Sequence, residues 1–123
     1  MAEMDVALKD ALQLGGAIGA AVVDHGSGMA LGTAGGTNDL DVAVAAAVNT
    51  EVLRAKLRTM DMLGIQERIE DVLVTLDTQY HLMRPVTGRN GQGLFIYLVL
   101  RRDNANLAMA RHKLRIIEQT LEV

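Results

Sequence analysis

Apolar and polar residues along the chain alternate between helical and strand spacing. Residues 3–14 place Met4, Leu8, Ala11 and Leu12 at helical intervals, with Glu3, Lys9 and Asp10 elsewhere. That spacing predicts a short amphipathic helix, stopped by Gly15-Gly16. Residues 17–24 are apolar, short and bounded by turn residues, which predicts a strand. His25-Gly26-Ser27-Gly28 has hairpin-turn chemistry, a second strand runs from Met29 to about Ala34, and Gly35-Gly36 closes it. Asn38 or Asp39 is placed to cap a long helix running to about Leu63, with Gly64 as its stop.

Three further strands are predicted over Ile69–Leu76, Tyr80–Val86 and Leu94–Leu100. The first alternates through Val72, Val74 and Leu76, and Pro85 suits the end of the second. The third is apolar on both faces, the pattern of a central strand covered on both sides. Gly88–Gly93 reads as a turn between the last two. Asn104 can cap a last helix in which Leu107, Ala110, Leu114, Ile117 and Leu121 form one stripe. The order α-β-β-α-β-β-β-α predicts an α+β fold. A five-stranded antiparallel sheet carries the middle helix on one face and the terminal helices on the other.

The middle helix sharpens this picture. Its first half, Val42-Ala43-Val44-Ala45-Ala46-Ala47-Val48, is apolar on every side. One sheet covers one side of a helix, so something else must cover the other, and a second copy of the chain is the simplest candidate. In its second half Glu51, Arg54, Arg58 and Asp61 fall on one stripe and read as a solvated face with i,i+3 pairs.

Composition narrows the function classes. The 123 residues suit a single domain, expected to span 1–123. Only 2% are aromatic, so Val, Leu, Ile, Met and Ala must build the core. The net charge of −3 is spread along the chain without a basic run, which argues against nucleic acid as a partner. Without cysteine there is neither a disulfide nor a thiolate zinc site. Met1–Asp5 is acidic and lacks the pattern of a signal peptide, and no apolar run approaches the roughly 20 residues of a membrane span. A cytoplasmic protein without membrane insertion is the expectation.

No catalytic, cofactor-binding or metal-binding constellation emerges. Gly26–Gly32 has the wrong spacing for a dinucleotide fingerprint and leads into a strand, and no Gly-Lys-Ser/Thr occurs. His25, His81 and His112 fall on a turn, a strand and a helix without ligand spacing. Ser27, the one serine, sits in the hairpin turn and not on a strand-to-helix elbow. Asp39 and Asp41 suit a helix N-terminus, and Glu70 and Asp71 read as solvated charges before a strand. Met60 and Met62 read as core filling rather than as an adaptable binding surface.

Placed in order, three stretches resemble the roadblock / dynein light-chain family: residues 16–24 with the turn and strand after them, residues 70–86, especially Tyr80-His81-Leu82-Met83-Arg84-Pro85, and residues 94–111. The last looks like the family's final strand and helix in the bacterial, more narrowly actinobacterial, style. The likeness covers nearly the whole chain. It implies a homodimer in which the middle helices pack together and the third strands pair across a two-fold axis. On that reading Val44, Ala47, Val48, Val72 and Val74 are the interface candidates. It also implies a non-enzymatic adaptor or regulator of a small Ras-like GTPase, associated in actinobacterial members with sensor-kinase systems. The alternatives are a structural dimer indifferent to nucleotide state and, last, a small-molecule sensor built on the glycine-rich hairpin.

Overall fold

A glycine stop, a tight hairpin and an all-apolar strand determine how the chain is layered. The computed structural model describes residues 2–88 and 93–122. In chain order the elements are β1 (Ala2–Glu3), α1 (Met4–Leu12), β2 (Ala17–Asp24), β3 (Met29–Gly35), α2 (Val42–Met62), β4 (Val72–Thr75), β5 (Gln79–Pro85), β6 (Leu94–Arg101), α3 (Leu107–Thr120) and β7 (Leu121–Glu122). A 3-10 turn, Arg102–Asn104, precedes α3. Five strands form one antiparallel sheet in the order β3-β2-β6-β5-β4. β6 lies at its centre, buried from Leu94 to Leu100, as its two apolar faces require. The expected turn at 89–92 lies outside the described residues.

Alternation along β6 feeds two cores. Leu94, Ile96, Leu98 and Leu100 face α1 and α3, meeting Leu8, Ala11, Ala110, Leu114 and Ile117. Phe95, Tyr97 and Val99 face α2, meeting Val42, Ala46 and Leu53. The middle helix therefore covers one face and the terminal helices the other, as the pattern predicts.

Several boundaries move, each for a local reason. Thr37 and Leu40 exchange backbone hydrogen bonds of 3.1 Å, so Asn38 and Asp39 lie within that turn. Asp41 caps α2 instead, its Oδ1 accepting the Val44 N–H at 3.2 Å. The 3-10 turn absorbs Asn104, and Asn106 caps α3 by accepting the Met109 N–H at 3.1 Å. β4 starts at Val72 because its register with β5 would place Glu70 opposite Pro85, which has no N–H to donate. Two-residue β1 and β7, too short for any periodicity to show, pair in parallel and bring the described ends together.

Glu70 and Asp71 are not free loop-end charges. Asp71 accepts two hydrogen bonds from Arg111, at 2.8 and 2.9 Å, and Glu70 pairs with Arg115. Together they fasten the approach to β4 onto α3. Beneath them lies an ion pair that hydropathy conceals. Glu118, on the buried side of α3, accepts from Arg84 Nε at 3.1 Å and from Thr87 N and Oγ1 at 3.2 and 2.9 Å.

The end of β3 needs a glycine. Gly35 has φ +74°, and a Cβ there would stand 2.7 Å from the Ile18 carbonyl oxygen on β2. Backbone cannot yield as a side-chain tip can. Gly35→Ala is expected to lower stability by about 1–3 kcal/mol. Urea unfolding checks this, and an unchanged midpoint would show that the hairpin relaxes freely.

Candidate protein–protein interface

α2 presents its surfaces unequally. Val42, Ala46, Thr50, Leu53 and Met60 face the sheet and are buried. The opposite side carries Val44 and Val48, 58% and 62% exposed, with Ala47 and Val52 also exposed. Valine at solvent-exposed helical positions gains nothing from water and has only modest helix propensity. The second half is more polar: Glu51 and Arg54 form the expected i,i+3 pair at 2.7 Å, and Arg58 and Asp61 are exposed. Arg54 also donates to the carbonyls of His25 and Gly26, tying the helix to the β2–β3 turn. In that turn Asp24 accepts from Gly26 N and Ser27 Oγ, which holds its carboxyl below the usual range. Ser27 thus serves the turn. Met60 fills core as expected, whereas Met62 does not: it is 86% exposed.

The sheet leaves a shelf beside the helix. α2 packs mainly over β2 and β3. On the same face the far strands carry Val72 and Val74 of β4 and His81 of β5, all half-buried. A groove of about 680 Å³ runs between Val52, Ala55 and Thr59 of α2 and the segment Ile65–Val72 that leads into β4. Among the described residues nothing pairs with the outer edge of β4. A free, regular, uncharged edge strand is a template for pairing with another chain. The other edge, β3, is less suited, since a register shift opposite Val22/Val23 and Gly32 and Gly35 interrupt it.

The predicted candidates thus fall into two groups on one side of the sheet. Val44, Ala47 and Val48 lie on the outward surface of α2, and Val72 and Val74 on the shelf. The groove-lining Val52, Ala55 and Thr59 are additions, visible in the sequence only as helical positions. A line of polar groups is a further addition. Asn49 Nδ2 donates to the Ala45 carbonyl and lies 3.3 Å from Tyr97 Oη. Tyr97 Oη is 3.1 Å from His81 Nδ1, and His81 Nε2 is 2.9 Å from Gln79 Oε1. Burial pushes the Tyr97 phenol up to about 12 and lowers the His81 imidazole from its ordinary value. These residues are 48 positions apart at the extremes, and the β5–β6 register together with the packing of α2 against Tyr97 unites them.

No group of three His, Asp or Glu side chains capable of holding a metal occurs among the described residues. The glycine-rich hairpin forms a turn and an edge strand. The arrangement offers apolar surface and unpaired backbone, which suit association with protein.

A three-layer α+β domain with one uncovered helix surface beside a free strand edge is the class these features define. No family model matches the chain, and no curated protein matches it. Solved structures do. The chain is similar to a Roadblock/LC7 domain from Streptomyces avermitilis, at 14% identity and TM-score 0.79, covering 97% of this chain and 94% of that one. It is similar to the gliding protein MglB from Thermus thermophilus, at 15% identity and TM-score 0.76, covering 94% and 82%. It is also similar to an MglB with a tetrameric arrangement, at 15% identity and TM-score 0.68, covering 94% and 87%. The chain has the roadblock fold. The first two similarities are nearly equal, so the fold does not select an actinobacterial branch.

Proposed function

We propose that this protein is a non-enzymatic, homodimeric adaptor or regulator of a small Ras-like GTPase, acting in the cytoplasm as one roadblock-like domain over residues 1–123. The observation that carries the reading is the uncovered apolar surface of α2 beside the free edge of β4, on a roadblock fold. A helix stripe and a strand edge on the same side of a sheet are self-complementary under a two-fold axis. Helix meets helix, strand meets strand, and each shelf lies beneath the partner's α2. Val44, Ala47, Val48, Val72 and Val74 are the proposed contacts. Self-association is in keeping with the tetrameric arrangement of one MglB. The GTPase role rests on the family resemblance. No described helix is long and apolar enough to cross a membrane.

The test is calorimetric titration of the purified protein against Ras-like GTPases of its own source, loaded with GDP or a non-hydrolysable GTP analogue. Binding only with the analogue is the result expected of a regulator or effector. Equal binding in both states identifies a constitutive adaptor. No binding in either state overturns the GTPase reading and leaves a structural dimer.

A further inference from the structure

We propose that association of two copies through α2 and β4 is governed by pH through His81, whose imidazole must be neutral for the interface to close. This rests on the homodimer reading above. His81 stands on the α2 side of β5, directly across from Val74 of the free edge strand, and is half-buried in the single chain. A second copy seated on the shelf would cover what remains of it.

The hydrogen-bond line through His81 has one consistent direction. Asn49 Nδ2 donates to Tyr97 Oη, and the tyrosine hydroxyl donates to His81 Nδ1. His81 Nε2–H donates to Gln79 Oε1. Each of these protons has an acceptor only while Nδ1 is a bare lone pair. Protonation turns Nδ1 into a donor aimed at the hydroxyl that was donating to it. The hydroxyl proton must then find another acceptor, although Tyr97 is fully buried.

The surroundings do not compensate a positive charge. From β6 the groups on the His81 face are Val99, its cross-strand partner, Tyr97, whose ring meets the imidazole edge-on at 5.7 Å, and the exposed Arg101, opposite Gln79. From β4 it is Val74, and on β5 itself Gln79. From α2 it is Asn49, through Tyr97. Burial keeps Tyr97 uncharged and Arg101 is itself a cation, so neither offsets an imidazolium. No carboxylate pairs with His81 among the described residues. Covering the shelf removes the remaining water, so the imidazolium loses more by association than the imidazole does.

The sign follows. Burial already lowers the His81 value in the single chain, and pairing lowers it further. Dimer affinity is therefore complete above the single-chain value. It falls as pH drops below that value towards the lower value of the dimer, then levels off. The window lies below the ordinary histidine value of about 6.5.

Sedimentation equilibrium of the full chain at pH 8 and pH 5 reads this directly, with circular dichroism confirming folded protein at both. The wild-type dimer Kd should rise about tenfold or more, with the two imidazoles, one from each copy, contributing equally. His81→Asn, which can keep an acceptor for the Tyr97 hydroxyl, should hold its Kd within about twofold over the same range. The double variant His25→Gln, His112→Gln retains His81 as its one imidazole and should show the full wild-type response. A dimer whose Kd does not change with pH overturns the switch alone, as does an equal response in His81→Asn or a lost response in the double variant. A monomer at pH 8 overturns the homodimer itself.

Discussion

Val48→Glu is expected to convert the proposed dimer into a folded monomer. Val48 is 62% exposed on the single chain and makes no part of either core. A carboxylate there meets water, and the fold should change by no more than about 0.5 kcal/mol. In the proposed pair the same position would lie between the two α2 helices, so each copy would bring a charge into an apolar seam. Like charges brought together and stripped of water cost several kcal/mol, and the dimer Kd should weaken by about 100-fold or more. Light scattering coupled to size exclusion, with thermal melting beside it, separates the two effects. A dimer of undiminished affinity would move the interface away from α2. Unfolding would show instead that α2 depends on Val48 within one chain.

Glu118→Ala should be strongly destabilising although it lies away from that interface. It removes the acceptor of Arg84 Nε and of both Thr87 donors, in a place where Arg84 and Glu118 are almost wholly shielded from water. Deleting one partner of a buried pair typically costs about 3–5 kcal/mol, because the charge left behind cannot return to solvent. Arg84 retains the Glu70 carbonyl at 3.4 Å and the Glu70 carboxylate at 3.9 Å, so the lower end applies, about 3 kcal/mol. For a chain of this length that lowers Tm by about 10 °C. Glu118→Gln, which keeps an acceptor, should lose less. A loss below about 1 kcal/mol for Glu118→Ala would mean that water reaches Arg84 from the side of Thr87.

Both residues illustrate what hydropathy can and cannot carry. Val48 stands in a run whose apolar character exceeds what one sheet can cover, and that excess is a property of the sequence itself. Glu118 looks like any exposed acid near a helix end. Its burial depends on Arg84, 34 positions earlier, arriving beneath α3 on the strand next to β6. The same holds for Glu70 and Asp71, which read as solvent charges until the arginines of α3 are folded against them. His81 could be recognised as partly buried, but its line to Tyr97 and Asn49 needs the pairing of β5 with β6 and the packing of α2 against Tyr97.

The sequence by itself determined the eight principal elements, the two-faced sheet, the central place of residues 94–100 and the surplus apolar surface of the middle helix. These follow from residue spacing at periods of 2 and 3.6 and from glycine and proline, all of which act locally. Only the tertiary structure decided that Asp41 and Asn106 cap the two long helices in place of Asn38, Asp39 and Asn104, which acids are buried, which sheet edge stays regular and free, and that one histidine stands on the shelf beside it. Those outcomes depend on strand order and register, which bring distant residues within hydrogen-bond reach and which no local period records.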